Sequence, residues 1–319
     1  GGQGHVAAAR PVRCRAVEAL ANSPAAEGLE LLARLGAERS LELRRSAALA
    51  LGSVRADGVV TVLRAAYELE GEPLARGFLL TGLGRQGGPS EARYLTRELV
   101  EGPHGMRPWA ALALGVLARR DGSEALRRDA VATLEASLAG EARADARGAW
   151  LLALGLCGAP GGLQPVVTAL EKADDEWTRA WAATALPLFE LDAARSALLA
   201  AVSREPSDLT RTAIARALGT IGASPDVEVL AHLARSATTA AQRSAAAIAL
   251  GYSGSLEAAD LLFARADDED DAPAVRASAV EALGLPLAHR PGAALAELGR
   301  GGNVAVIDAG NAEVLRSTL

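Results

Sequence analysis

At nine places, 31 to 40 residues apart, an arginine is followed, seven residues later, by a leucine, and nothing else in the sequence constrains the fold as tightly. The pairs are Arg13/Leu20, Arg44/Leu51, Arg76/Leu83, Arg107/Leu114, Arg147/Leu154, Arg179/Leu186, Arg211/Leu218, Arg243/Leu250 and Arg276/Leu283. Successive arginines lie 31, 32, 31, 40, 32, 32, 32 and 33 residues apart. A fixed period of this length marks units that cannot bury their apolar faces alone and must stack on one another.

The residues around each pair say what the unit is. Immediately before the leucine stand Ala19, Ala50, Gly82, Ala113, Ala153, Ala185, Ala217, Ala249 and Ala282. None is larger than a methyl group, so another backbone must pass close by. Three residues after the arginine Ala recurs in six units, with Leu79, Trp150 and Ile214 in the others. On a helix these positions and the leucine form one buried stripe. After the leucine comes Gly in seven of nine units, the exceptions being Ala21 and Pro187. The glycine is expected to close the helix as a left-handed residue just past its end. Pro187 is expected to stop it by lacking an N–H.

A second apolar-periodic segment separates these helices, as in residues 26–36, 90–100, 163–173 and 225–235. Its starts carry turn or cap residues, namely Asp57, Ser90, Ser123, Ser224 and Ser255. Each unit is therefore a helical hairpin of about 32 residues. The single 40-residue interval predicts an enlarged outer helix over 123–142 and a local irregularity there. Composition agrees with thin layers of close-packed helices. Half the chain is hydrophobic and only 3% aromatic, so Ala and Leu must fill the core.

The unit resembles a HEAT repeat, in particular the short HEAT-like class found in phycobilisome-lyase proteins, whose inner helix reads VR…A…ALG. The likeness covers residues 11 to 285. It implies an all-α, right-handed α-solenoid of about nine two-helix repeats, with the arginine-bearing helices on the concave side. It also implies interaction more often than catalysis. Residues 286–319 leave the spacing and are read as a C-terminal cap, and residues 1–10 as a trimmed or disordered N-terminal segment.

A helical projection at about 100° per residue leaves the arginine and the positions one, four and five residues later facing outward. This predicts an apolar groove of Leu49, Leu80, Leu112, Leu151 and Leu152, flanked by Arg45, Arg107 and Arg216. Such a surface suits another protein, through an acidic or amphipathic segment. The competing reading is that these leucines touch the neighbouring inner helix. The arginine ladder has two readings as well. Nine guanidinium groups suit an acidic peptide or a phosphate backbone. Their presence in every unit instead favours a structural role, each pairing with an acid in the turn before its own helix. The candidate acids are Glu42 for Arg44, Glu72 for Arg76, Asp145 for Arg147, Asp175 for Arg179 and Asp208 for Arg211. Arg107 and Arg243 have no such acid and are the better candidates for an external anion.

Other motifs are weak. The two cysteines, Cys14 and Cys157, give neither a disulfide framework nor metal-ligand spacing. The four histidines lie in different units without the His-Glu pairs of HEAT-like metal hydroxylases, and Glu228 with His232 reads as surface. The run Asp267–Asp271 lacks the spacing of a calcium loop and reads as a solvated acidic turn. Trp109 and Trp150 read as core filling, and the glycines of 82–88 as a helix end. A net charge of −6 argues against a general nucleic-acid binder. No segment has the length of a transmembrane helix, and the expected setting is a bacterial cytoplasm or periplasm. The sequence thus points to a non-enzymatic interaction scaffold with no cofactor or metal, binding through the concave face. The alternatives are a lyase or lyase-chaperone of the phycobilin-attachment type and a nucleic-acid backbone binder.

Overall fold

The computed structural model describes Val17 and residues 26–284, apart from Ser203, residues 222–226 and Gly254. The expected N-terminal segment and C-terminal cap lie outside the described residues. The fold is an all-α, HEAT-type solenoid.

The chain divides into two compact units, residues 1–137 and 138–319. In the first, outer helices α1 (Ala26–Leu35), α3 (Val59–Leu69) and α5 (Pro89–Glu101) alternate with inner helices α2 (Leu41–Leu51), α4 (Pro73–Gln86) and α6 (Arg107–Asp121). Helix α7 (Glu124–Ala139) follows; at 16 residues it is the enlarged outer helix that the 40-residue interval predicts. The second unit has inner helices α8 (Ala144–Cys157), α10 (Glu176–Ala185), α12 (Asp208–Ile221), α14 (Ala240–Ser253) and α16 (Pro273–Gly284). Its outer helices are α9 (Leu163–Lys172), α11 (Asp192–Val202), α13 (Val227–Ser236) and α15 (Leu256–Asp267). Within each unit the outer helices α1, α3, α5, α9, α11, α13 and α15 pack on the inner helices that follow them, and every inner helix packs on the inner helix of the next repeat.

Local chemistry sets the helix ends. Ser123 accepts from the Leu126 amide at 3.1 Å and Ser255 from that of Ala258 at 3.0 Å, as expected of caps. Asp57 and Ser90 do not cap. Gly58, left-handed at φ 81°, and Gly88 take those places, and Glu91 folds back to the Gly88 amide at 2.9 Å. Ser224 lies outside the described residues. Pro187 does end its helix: α10 stops at Ala185 and tightens into a 3-10 turn over Leu186–Phe189.

The repeated glycine has a different role from the one expected. Gly84, Gly155, Gly219 and Gly251 lie inside their helices, none with positive φ. Among the described residues the left-handed glycines are Gly58, Gly122 and Gly158, all outside the motif. What excludes a side chain is the next repeat. A Cβ on Gly84 would stand 2.4 Å from the Ala113 carbonyl oxygen, one on Gly155 2.6 Å from that of Ala185, and one on Gly251 2.5 Å from that of Ala282. One on Gly219 would stand 2.6 Å from the Ala249 Cα. The glycine of one repeat thus receives the small residue that precedes the leucine of the next. The alternation Ala-Leu-Gly is an interlock between backbones.

Trp109 and Trp150 are buried, as their projection predicts, at 5% and 2% exposure. A related fit recurs once in each unit. The space above Gly77 is filled by the Trp109 ring and that above Gly148 by the Trp181 ring.

Candidate functional site

The leucines expected to form an open groove are part of the core. Leu80 and Leu151 are 0% exposed, Leu152 4% and Leu112 5%. Only Leu49 of that set is half-exposed. The projection assumed one buried arc, facing the outer helix of the same hairpin. Within each unit an inner helix also packs on its neighbouring inner helices, so its buried arc is wider. Positions four after the arginine are accordingly closed at Ala48, Ala111, Ala183, Ala215 and Ala247, while Val280 in the last described inner helix is 60% exposed. The row five residues after the arginine keeps partial access to solvent at Leu49 and Thr81 in the first unit, and at Thr184, Arg216 and Ile248 in the second.

The arginines are held by the protein itself. Each of four reaches six residues back to a carbonyl at the end of the preceding outer helix. Arg44 donates to Glu38 O at 3.1 Å, Arg147 to Glu141 O at 2.7 Å, Arg179 to Ala173 O at 2.8 Å and Arg243 to Ala237 O at 3.3 Å. The same four also reach forward, to a carboxylate 26 to 28 residues ahead in the next repeat. The pairs are Arg44–Glu70 at 3.1 Å, Arg147–Asp175 at 3.6 Å, Arg179–Glu205 at 3.0 Å and Arg243–Asp271 at 2.9 Å. Glu70, Glu205 and Asp271 are nearly closed off from solvent, at 8%, 5% and 4%. The arginine therefore ties the end of one hairpin to the start of the next.

This corrects the expected pairing in most units. Glu42 accepts from Ser40 at 3.0 Å, and Glu72 holds Arg45 at 2.6 Å while capping α4 through the Ala75 amide. Asp175 caps α10 through the Thr178 amide at 2.7 Å and meets Arg147. Arg211 keeps its local acid, Asp208, at 2.6 Å, and the Asp145 side chain lies outside the described residues. Arg243, expected to be open to an external anion, is occupied by Asp271. Arg107 donates its Nε to Gly102 O at 2.9 Å.

Where the forward acid is missing, the arginine is left short. Positions 102–104, ahead of Arg76, are Gly, Pro and His; positions 237–239, ahead of Arg211, are Ala, Thr and Thr. The Nε atoms of Arg76 and Arg211 are buried without a hydrogen-bond partner among the described residues. Arg76 instead lies 4.4 Å above the Tyr67 ring. That ring meets Tyr94 edge to face at 6.2 Å, and the two hydroxyls donate to Glu98 and Glu68, each at 2.7 Å. Burial and the neighbouring carboxylates push both phenols well above their ordinary pKa. The sequence reading missed this cluster; Tyr67 and Tyr94, two of only three tyrosines, were its available signal.

The acidic turn is divided. Asp267, Asp268, Glu269 and Asp270 are exposed, while Asp271 is buried between Arg243 and Arg265, the latter at 2.8 Å. Burial alone would raise the Asp271 pKa. The hydrogen bonds of Arg265 and the Ala272 amide, with the charges of both arginines, bring it below the ordinary value. Burial lowers the pKa of Arg216, with the Tyr252 phenol acting in the opposite sense. Cys157 is a buried free thiol. Among the described residues no three His, Cys, Asp or Glu side chains are grouped to hold a metal ion, and no helix is long and apolar enough to cross a membrane.

A stacked helical hairpin with a backbone interlock and an arginine tie at its junctions defines a HEAT-type repeat protein. Residues 163–251 match the family model for HEAT repeats. Repeats of this class generally mediate protein binding. No curated protein sequence matches the chain. Among the structures compared, a homology model of the full-length AP-3 complex in an intermediate open conformation is 14% identical, with a TM-score of 0.55 over 86% of this chain and 54% of that one. The CpcE–CpcF complex of phycocyanin lyase from Nostoc is 23% identical, with a TM-score of 0.45 over 81% and 93%. Human deoxyhypusine hydroxylase is 18% identical, with a TM-score of 0.36 over 88% and 100%. At such identities only the AP-3 likeness is close enough to speak, and it speaks to the fold.

Proposed function

We propose that this chain is an interaction scaffold that binds a partner protein through the inner-helix row five residues after the repeated arginine. The supporting observation is that five members of this row keep partial solvent access, whereas Leu112 and Leu152 of the same row and the alanines one position before it are buried. It offers an aliphatic, a hydroxyl or a guanidinium group at two consecutive repeats of the first unit, Leu49 and Thr81, and at three of the second, Thr184, Arg216 and Ile248. Mixed rows of this kind suit an extended or helical segment read one side chain per repeat. The arginine ladder contributes by holding the register of the rows, because most of its groups are consumed within the protein.

The test is capture from a source lysate, read by mass spectrometry, with wild type beside Leu49→Asp and Ile248→Asp. Circular dichroism would establish that both variants stay folded. A protein held by wild type and lost by a folded variant supports the reading. Equal capture by all three chains refutes the row as the binding surface.

A further inference from the structure

A cleft of about 710 Å³ lies between the first two described hairpins of the first unit. That is the size of sites that hold a ligand or a partner's anchoring side chains. Its apolar walls come from three helices: Leu51 on α2, Ala66 at the end of α3 and Leu79 on α4. The rim carries three carboxylates, Glu38, Glu70 and Glu72, against one guanidinium, Arg44. It stays net negative even when Arg45, which holds Glu72 at 2.6 Å, is counted. Leu69, also on the lining, is 87% exposed, an unusual cost for a leucine beside an opening.

We infer that this cleft binds a partner segment in which an apolar side chain is flanked by lysine or arginine, the apolar group entering between the hairpins and the cation meeting the exposed Glu38, since Glu70 is held by Arg44 and Glu72 by Arg45. The charge of the rim selects the partner, because an acidic segment entering there would set like charges together in a partly desolvated place. The exposed Leu69 extends the apolar contact past the opening. The inference rests on the scaffold reading and adds a site separate from the inner-helix row.

Gly71, on the cleft lining, gives a way to block it. A Cβ added there meets nothing within 4 Å, and the residue lacks the positive φ that would strain a side chain. Gly105 has the same freedom in the same unit but lies outside the lining, which makes it the control. The experiment titrates the full-length chain with a fluorescein-labelled amphipathic peptide of repeating Leu-Lys-Lys-Leu, beside its Leu-Glu-Glu-Leu counterpart, and follows anisotropy. The expected result is binding of the lysine peptide at least about ten-fold tighter than the glutamate peptide, weakened about ten-fold by Gly71→Trp and untouched by Gly105→Trp. Absence of binding, equal binding of both peptides, or equal weakening by both tryptophans overturns the proposal. If Gly71→Trp halves the mass by light scattering and wild type ignores the peptide, a second copy fills the cleft, which also overturns it. Loss of peptide binding in Gly71→Trp with lysate capture intact supports the cleft and separates it from the inner-helix row. The reverse pattern sinks the cleft alone.

Discussion

The arginine that follows α3 and the one that opens α10 occupy the same repeat position and close their junctions with different chemistry. Arg179 spans to Glu205 through two hydrogen bonds of 3.0 Å, both groups being mostly shielded from water, at 14% and 5% exposure. Arg76 has no acid at the corresponding distance and rests on the Tyr67 ring. The first junction fixes two desolvated charges in one geometry. The second is an attraction between a cation and a ring face, with one guanidinium N–H left unpaired. A repeat position is thus conserved in type along the chain while its energetic role depends on what the next repeat supplies.

The largest effect should come from the feature both units share. Gly251→Val places a Cβ on the Ala282 backbone, and Gly84→Val does the same at Ala113. Each is expected to cost about 3 kcal/mol or more, read from urea unfolding followed by circular dichroism. If either variant unfolds like wild type, the backbone interlock is not tight. Next comes the contrast itself. Arg179→Ala strands the Glu205 carboxylate and is expected to cost about 3 kcal/mol. Arg76→Ala loses a ring contact and is expected to cost about 1 kcal/mol. Equal costs would erase the distinction between the two junctions.

Acid should sharpen it further. The Asp271 pKa is held below its unfolded value, so its contribution is fully present above about pH 4 to 5 and fades as pH falls through the folded value. Between pH 6 and pH 3 the wild type should lose more stability than Asp271→Asn, which starts lower but no longer carries this titration. Parallel pH profiles for the two chains would contradict the account. The smallest effect is expected on the inner-helix row. Leu49→Asp should cost less than about 1 kcal/mol, whereas Leu80→Asp should cost several, because a buried carboxylate replaces a core leucine.

The period, the hairpin, the enlarged outer helix and the structural character of the arginines were legible because each shows when the repeats are laid over one another in register. The misreadings share a cause: they depend on the neighbouring repeat. The glycine after each leucine carries the signature of a helix stop, yet Gly84 and Gly219 answer to Ala113 and Ala249 one repeat later. Leu80 and Leu151 project outward from a lone helix and are closed by the next one. The acids were sought in the turn before each arginine, while a guanidinium on a long stem spans the step to the next hairpin, 26 to 28 residues on. A cleft arises where two hairpins fail to fill the space between them, and no single-repeat pattern records that.

The central claim is that the repeated arginine ties adjacent hairpins together. A double-mutant cycle on Arg179→Met and Glu205→Gln, read by urea unfolding of the full chain, tests it most directly. The account predicts a coupling of about 2 kcal/mol, with the double variant less destabilised than the two single variants combined. Additive costs, with a coupling below about 0.3 kcal/mol, would show that the pair does not hold the junction.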